Sequence, residues 1–240
     1  MDIYVRSRGF TQDNGYRWVP EKPSILTTYK ITDLIQSEAF SIVLGRYNYQ
    51  LILFVTGLDS GSLDFCDRKI RTSVLWVGEN TLETEEKLRA IAISILQENF
   101  PIPVTLNDQN PTGFEVHFQH LQNTTISIPL KNSPPIKKRK IAPNTAEQIN
   151  SLCKDLQDYQ LPENDNRPLV IVTGIKQKSV LENSGVWRGL SSEVKKEEWF
   201  SLKESSLTQP TPQGLSPNQS YSALFLITML LMGLALFLVS

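Results

Sequence analysis

Arg71-Thr72-Ser73-Val74-Leu75-Trp76-Val77, closed by Gly78, is followed after a short gap by ETEEKLRAIAISILQE, Glu83 to Glu98. The first segment is apolar and rich in β-branched residues, the pattern of a buried strand. In the second, Leu88, Ile91, Ala92, Ile95 and Leu96 recur at helical spacing and build one apolar face. Thr81 or Thr84 can cap this helix. Glu83, Glu85 and Glu86 fall in its first turn, where the helix dipole favours acids, and Pro101 and Pro103 stop it. A buried strand leading into an amphipathic helix places the chain in the α/β class.

The pattern extends outward on both sides. Ser41 to Arg46 (SIVLGR) and Gln50 to Thr56 (QLILFVT) read as strands, with Tyr47-Asn48-Tyr49 as a hairpin turn. Ile3 to Val5 suggests an edge strand, and a short helix is expected around Thr32-Asp33-Leu34-Ile35. On the carboxyl side, Phe114 to Phe118 alternates as a strand, and Thr125 to Leu130 reads as another. Lys131 to Ala142 (KNSPPIKKRKIA) breaks the pattern and reads as a loop. Asn144 to Asp158 is a helix capped by Asn144 or Thr145, with Ala146, Ile149, Leu152, Cys153 and Leu156 on one side. Leu169 to Thr173 is a buried-type strand, Ser179 to Ser184 a short helix, and Val194 to Leu202 a last amphipathic helix.

This order predicts a mixed sheet with packed helices, one domain over residues 1–204 with a soft boundary near 131–143. Two strands share an ending, Val55-Thr56-Gly57-Leu58 and Val172-Thr173-Gly174-Ile175. That repetition fits two related halves or, the favoured reading, the ordinary use of glycine where a buried strand turns out of a sheet.

Residues 205–220 (SSLTQPTPQGLSPNQS) hold three prolines, a glycine and no charge, the composition of a flexible linker. Residues 221–240 (YSALFLITMLLMGLALFLVS) are apolar all round. At about 1.5 Å per residue, such a segment spans a hydrocarbon core of about 30 Å. The expectation is a carboxyl-terminal transmembrane helix, a tail anchor contacting membrane lipid. Met1 to Arg6 does not read as a secretory signal, so the bulk is expected in the cytosol.

Lysine and arginine number 24 against 25 acids, a net charge of −1 that lacks the global footprint of a nucleic-acid binder. Nucleic acid is not an expected partner, and no cofactor is expected. Cys66 and Cys153 form no CxxC pair and read as reduced thiols. GxxxxGK[ST], GxGxxG and GxSxG are all absent from the sequence. His117 and His120 are three apart. On a strand they point to opposite faces and share no metal; on a helix they could, but zinc needs further ligands that the sequence does not place nearby.

Three clusters remain as candidate sites. Asp64, Asp67, Arg68, Lys69 and Arg71 gather before the strong strand, and Arg6-Ser7-Arg8 follows the first one. Charges at strand ends can form a ligand or catalytic cleft. Lys137-Lys138-Arg139-Lys140 suits an anionic membrane surface, where each basic group adds about 1 kcal/mol. The alternative for that run is a solvated loop. Trp187 and Arg188 suit a protein-partner surface or close the core.

Tyr4-Val5-Arg6-Ser7-Arg8-Gly9, then Gln12-Asp13 and Trp18, resembles the start of a group of uncharacterised bacterial proteins, chiefly cyanobacterial, with tail anchors. Asp67 to Leu75 (DRKIRTSVL) matches the same group's acid–arginine turn before an apolar strand. The segment is also distantly similar to the amino-terminal domain of GTPase-associated proteins in bacterial conflict systems. The resemblance covers about the first hundred residues. It implies a bacterial inner membrane and an adaptor or regulatory role, and it transfers no catalytic residue.

Two functions from different classes follow as expectations. The first is a tail-anchored protein presenting a cytosolic binding or adaptor domain to a protein partner in a conflict or signalling assembly. The alternative is a membrane-tethered hydrolase, such as a metal-dependent nuclease, using the region Asp64 to Arg71.

Overall fold

β3 (Ser41–Tyr47) and β4 (Gln50–Leu63) form the hairpin on which the fold is built, in a computed structural model that describes residues 1–101, 104–123, 128–163 and 166–201. Its turn is two residues long. Asn48 and Tyr49 both take positive φ, and Tyr47 pairs with Gln50. Two left-handed residues give the turn the twist of the flanking strands. Tyr47 therefore belongs to the strand, one position further than its sequence suggests.

β5 (Lys69–Glu79) pairs antiparallel with β4 and carries Gly78 inside the strand. On its other side lie β1 (Asp2–Ser7) and then β2 (Arg17–Val19). β1 pairs with both neighbours, so it is an interior strand and β2 forms the edge. Between β2 and β3 stand α1 (Ser24–Thr28) and a 3-10 turn (Ile31–Leu34).

α2 (Leu82–Leu96) starts from Thr81, whose hydroxyl accepts the Thr84 amide. It buries Leu88, Ile91 and Ile95 against the sheet, each contributing about 1.5–3 kcal/mol of apolar transfer. β6 (Val104–Leu106) and β7 (Phe114–Val116) make a separate two-stranded ribbon, followed by α3 (Phe118–Asn123). Phe118 thus opens a helix rather than ending a strand. Half of the strand expected over Thr125 to Leu130 lies outside the described residues, and Ile128 to Leu130 is irregular.

The second half completes the sheet. β8 (Lys138–Pro143) leads through α4 (Ala146–Asp158, capped by Thr145) to β9 (Arg167–Thr173). α5 (Lys178–Asn183) then leads to β10 (Arg188–Ser191), and β11 (Glu198–Ser201) returns along the outer edge. The nine strands run β11-β8-β10-β9-β3-β4-β5-β1-β2. β8, β10 and β9 are mutually parallel, and β9 joins β3 antiparallel. The mixed α/β class is as the sequence indicates. Met1 to Leu202 makes one compact unit.

Two expectations are corrected. The run at 138–140 is not a loop but the start of an interior strand. The last helix expected over Val194 to Leu202 does not form in its described part, because Glu198 to Ser201 pairs with β8. The two glycine-marked endings also differ. β4 continues past Gly57 through a bulge, whereas β9 ends at Thr173. Apolar layers cover both faces. α2 and α4 pack on one side, while Leu26 of α1, Ile31 and Leu181 of α5 fill the other.

Candidate functional site

The turn between β4 and β5 carries the densest charge. Its backbone closes through the Asp64 amide to the Arg68 carbonyl at 2.8 Å, with Asp67 in the left-handed region. Asp64 holds the turn from inside. Its Oδ1 accepts the amides of Cys66 (2.9 Å) and Arg68 (3.1 Å), the local bonding that suits aspartate to turns. Its Oδ2 accepts Arg8 Nη1 (2.9 Å) and Arg68 Nε (3.0 Å). Burial alone raises this carboxyl. The Arg68 guanidinium and the two amides outweigh burial and hold it at about 2.

Around this anchor lies a cleft of about 160 Å³ lined by Arg8, Tyr16, Glu38, Asp64, Arg68, Lys69 and Arg71. The Tyr16 hydroxyl accepts the Arg71 amide at 3.2 Å, and the Arg8 guanidinium stands 5.8 Å from the Tyr16 ring. Arg71 and Lys69 share Asp59, at 3.4 and 2.9 Å. The Arg68 and Lys69 side chains are 64% and 62% exposed, while that of Asp64 is 2% exposed. Asp64 is internal, whereas Arg68 and Lys69 reach water beside the exposed Glu38, with Lys69 paired to Asp59.

The fold therefore unites Asp64, Arg68 and Arg71 and adds Arg8 from just past β1, Tyr16 from the approach to β2, and Glu38 from the approach to β3. Asp67 is exposed and does not line the cleft. Arg8 was legible as a charged position after the first strand. Tyr16 and Glu38 carry no local signal that links them to residues near position 68.

The second candidate cluster divides. Lys137 and Lys138 are exposed, but Arg139 and Lys140 are structural. Arg139 donates to the carbonyls of Val186 and Glu182, both at 2.8 Å. Lys140 is buried, donates to Ser151 Oγ at 2.8 Å and sits 5.4 Å from the Trp199 ring. Trp187 and Arg188 are also buried. Trp187 Nε1 donates to the Ile136 carbonyl, and Arg188 pairs with Asp155 at 2.5 Å. The partner-surface reading of these two residues is replaced by a core role.

His117 precedes α3 and His120 lies within it, which brings their rings to 5.6 Å. The strand geometry that would have separated them does not form. Among the described residues no three His, Cys, Asp or Glu side chains converge as a metal group. Two larger cavities remain. One of about 490 Å³ is walled by Phe40, Leu58, Ile95, Phe100 and Ile149, with Arg71 among its lining residues. The other, about 470 Å³, lies over the buried Arg46–Glu85 pair at 2.5 Å. No protein-family model, curated protein or solved structure matches the chain.

Proposed function

We propose that this chain is a binding module presented at a membrane, whose cationic cleft at the β4–β5 turn receives an acidic surface of a protein partner. The supporting observation is the arrangement of Asp64 beneath Arg68 and Lys69. A locked internal carboxylate fixes the turn, and the exposed guanidinium and ammonium groups face outward. Such charge complementarity contributes to association rate and partner choice. The apolar segment 221–240 supports attachment to lipid, and residues 205–220 have the composition of a tether. No helix among the described residues is long and apolar enough to cross a membrane. The exposed Lys137 and Lys138 are available to an anionic leaflet.

A hydrolase using Asp64 to Arg71 has less support. Both Asp64 oxygens already accept N–H donors, and Asp67 stands apart from the cleft. Fractionation of cells expressing the full chain tests the membrane half of the proposal. Recovery in alkaline-washed membranes is expected, and recovery in the soluble fraction contradicts it. Titration of the full chain with magnesium and manganese tests the alternative. Saturable binding that Asp67→Ala abolishes revives the hydrolase.

A further inference from the structure

On the same sheet face as the candidate cleft, a second cavity of about 210 Å³ opens beside Arg6, Trp18, Lys22, Thr32, Ser37 and Ser73. Arg6 lies on β1 directly across from Ser73 of β5, two residues before Arg8, which follows the strand end. The Arg6 guanidinium stacks 4.4 Å from the Tyr16 ring centre. Among the described residues it makes no side-chain hydrogen bond and no ion pair. Burial lowers its pKa, and Tyr16 and Glu38 partly offset this electrostatically.

Other donors converge on the same space. Lys22 is exposed at the rim and forms no ion pair among the described residues. The hydroxyls of Thr32, Ser37 and Ser73 likewise have no partner among them. No carboxylate lines the cavity, and Trp18 and Phe54, with ring centres 6.0 Å apart, supply an aromatic wall. The partly buried Arg6 guanidinium thus keeps N–H donors open to an anion entering the cavity.

We propose that this cavity binds a small phosphate monoester, with the phosphate between Arg6 and Lys22 and the organic part against Trp18. Two cations match a dianionic phosphate, and the hydroxyls supply donors for its remaining oxygens. The volume falls below the roughly 300–1,000 Å³ of pockets for drug-sized ligands, which selects a ligand of a few carbons. This site is separate from the Arg68–Lys69 surface and does not depend on a protein partner.

Calorimetry on the full chain in detergent tests the assignment, with glycerol 3-phosphate, inorganic phosphate and glycerol as probes. Saturable binding of glycerol 3-phosphate and none of glycerol is expected, and Arg6→Gln and Lys22→Gln should each weaken it at least about tenfold. Lys22 is exposed, so its variant remains decisive even if Arg6→Gln disturbs folding. Inorganic phosphate binding as tightly as the ester would overturn the role of Trp18 and the organic group. No saturable phosphate binding, or undiminished binding by Lys22→Gln, would overturn the site.

Discussion

Arg8 and Asp64 stand 56 residues apart in sequence and meet at 2.9 Å, joining the end of β1 to the turn between β4 and β5. The contact ties the turn to a neighbouring strand of the sheet. It also fixes the sign of a pH effect. Asp64 is held at about 2 against an ordinary 3.8, so its folded-state pKa is depressed. The stabilisation is complete above the ordinary value and is lost as pH falls from about 3.8 towards about 2. Asp64→Asn should melt lower than the parent at neutral pH, and the gap should close across that acidic interval. A gap that stays constant with pH would show that the charge of Asp64 does not hold the turn.

Glu85 joins α2 to β3 through Arg46 and also accepts the Leu161 amide at 2.8 Å. Both members of the ion pair are buried. Glu85→Ala leaves an uncompensated guanidinium inside the protein, with an expected loss of about 3–5 kcal/mol in denaturant unfolding. Arg46→Met combined with Glu85→Leu should recover much of that loss. Equal damage in the double variant would place the cost in the other groups Glu85 holds, the Leu161 amide and the buried Arg89.

Gly57 sits at φ +72°, and an added Cβ would lie 2.2 Å from the Ala39 carbonyl carbon. Gly57→Ala therefore combines left-handed strain of about 1–3 kcal/mol with a backbone clash. A lowered unfolding midpoint is expected. An unchanged midpoint would mean that the β4 bulge relaxes without cost.

Cys66 is exposed and Cys153 buried, and burial pushes the Cys153 thiol up to about 11. A maleimide at neutral pH should modify Cys66 in the folded protein and reach Cys153 only after denaturation. Mass spectrometry of the labelled peptides reads this directly. Rapid labelling of Cys153 in the native protein would contradict the packing of α4.

The sequence exposed those elements whose pattern matches their burial. β3, β4, β5, β9 and α2 read clearly because their apolar residues follow strand or helix periods, and Thr81 and Thr145 mark helix starts. β8 was hidden by charge. Lys140 is accommodated in the core by Ser151 of the following helix α4 and the Trp199 ring of β11, and the pairing of β11 with β8 has no local signal. β11 was hidden because Glu197-Glu198-Trp199-Phe200 imitates an amphipathic helix while its pairing partner is β8. In the candidate site, Asp64, Arg68 and Arg71 were visible as neighbours. Tyr16 and Glu38 became neighbours only through the sheet order.

Crosslinking in native membranes tests the central claim most directly, with the full chain compared against Arg68→Gln/Lys69→Gln and co-purified proteins quantified by mass spectrometry. The variant keeps the Arg8–Asp64 pair and the two backbone amides on Asp64 while removing two exposed cations, of which Arg68 also binds Asp64. One stoichiometric protein partner is expected with the parent chain, and a loss of at least about tenfold in the variant. Recovery of the parent chain alone, or of the same partner in equal amount with both chains, would contradict it.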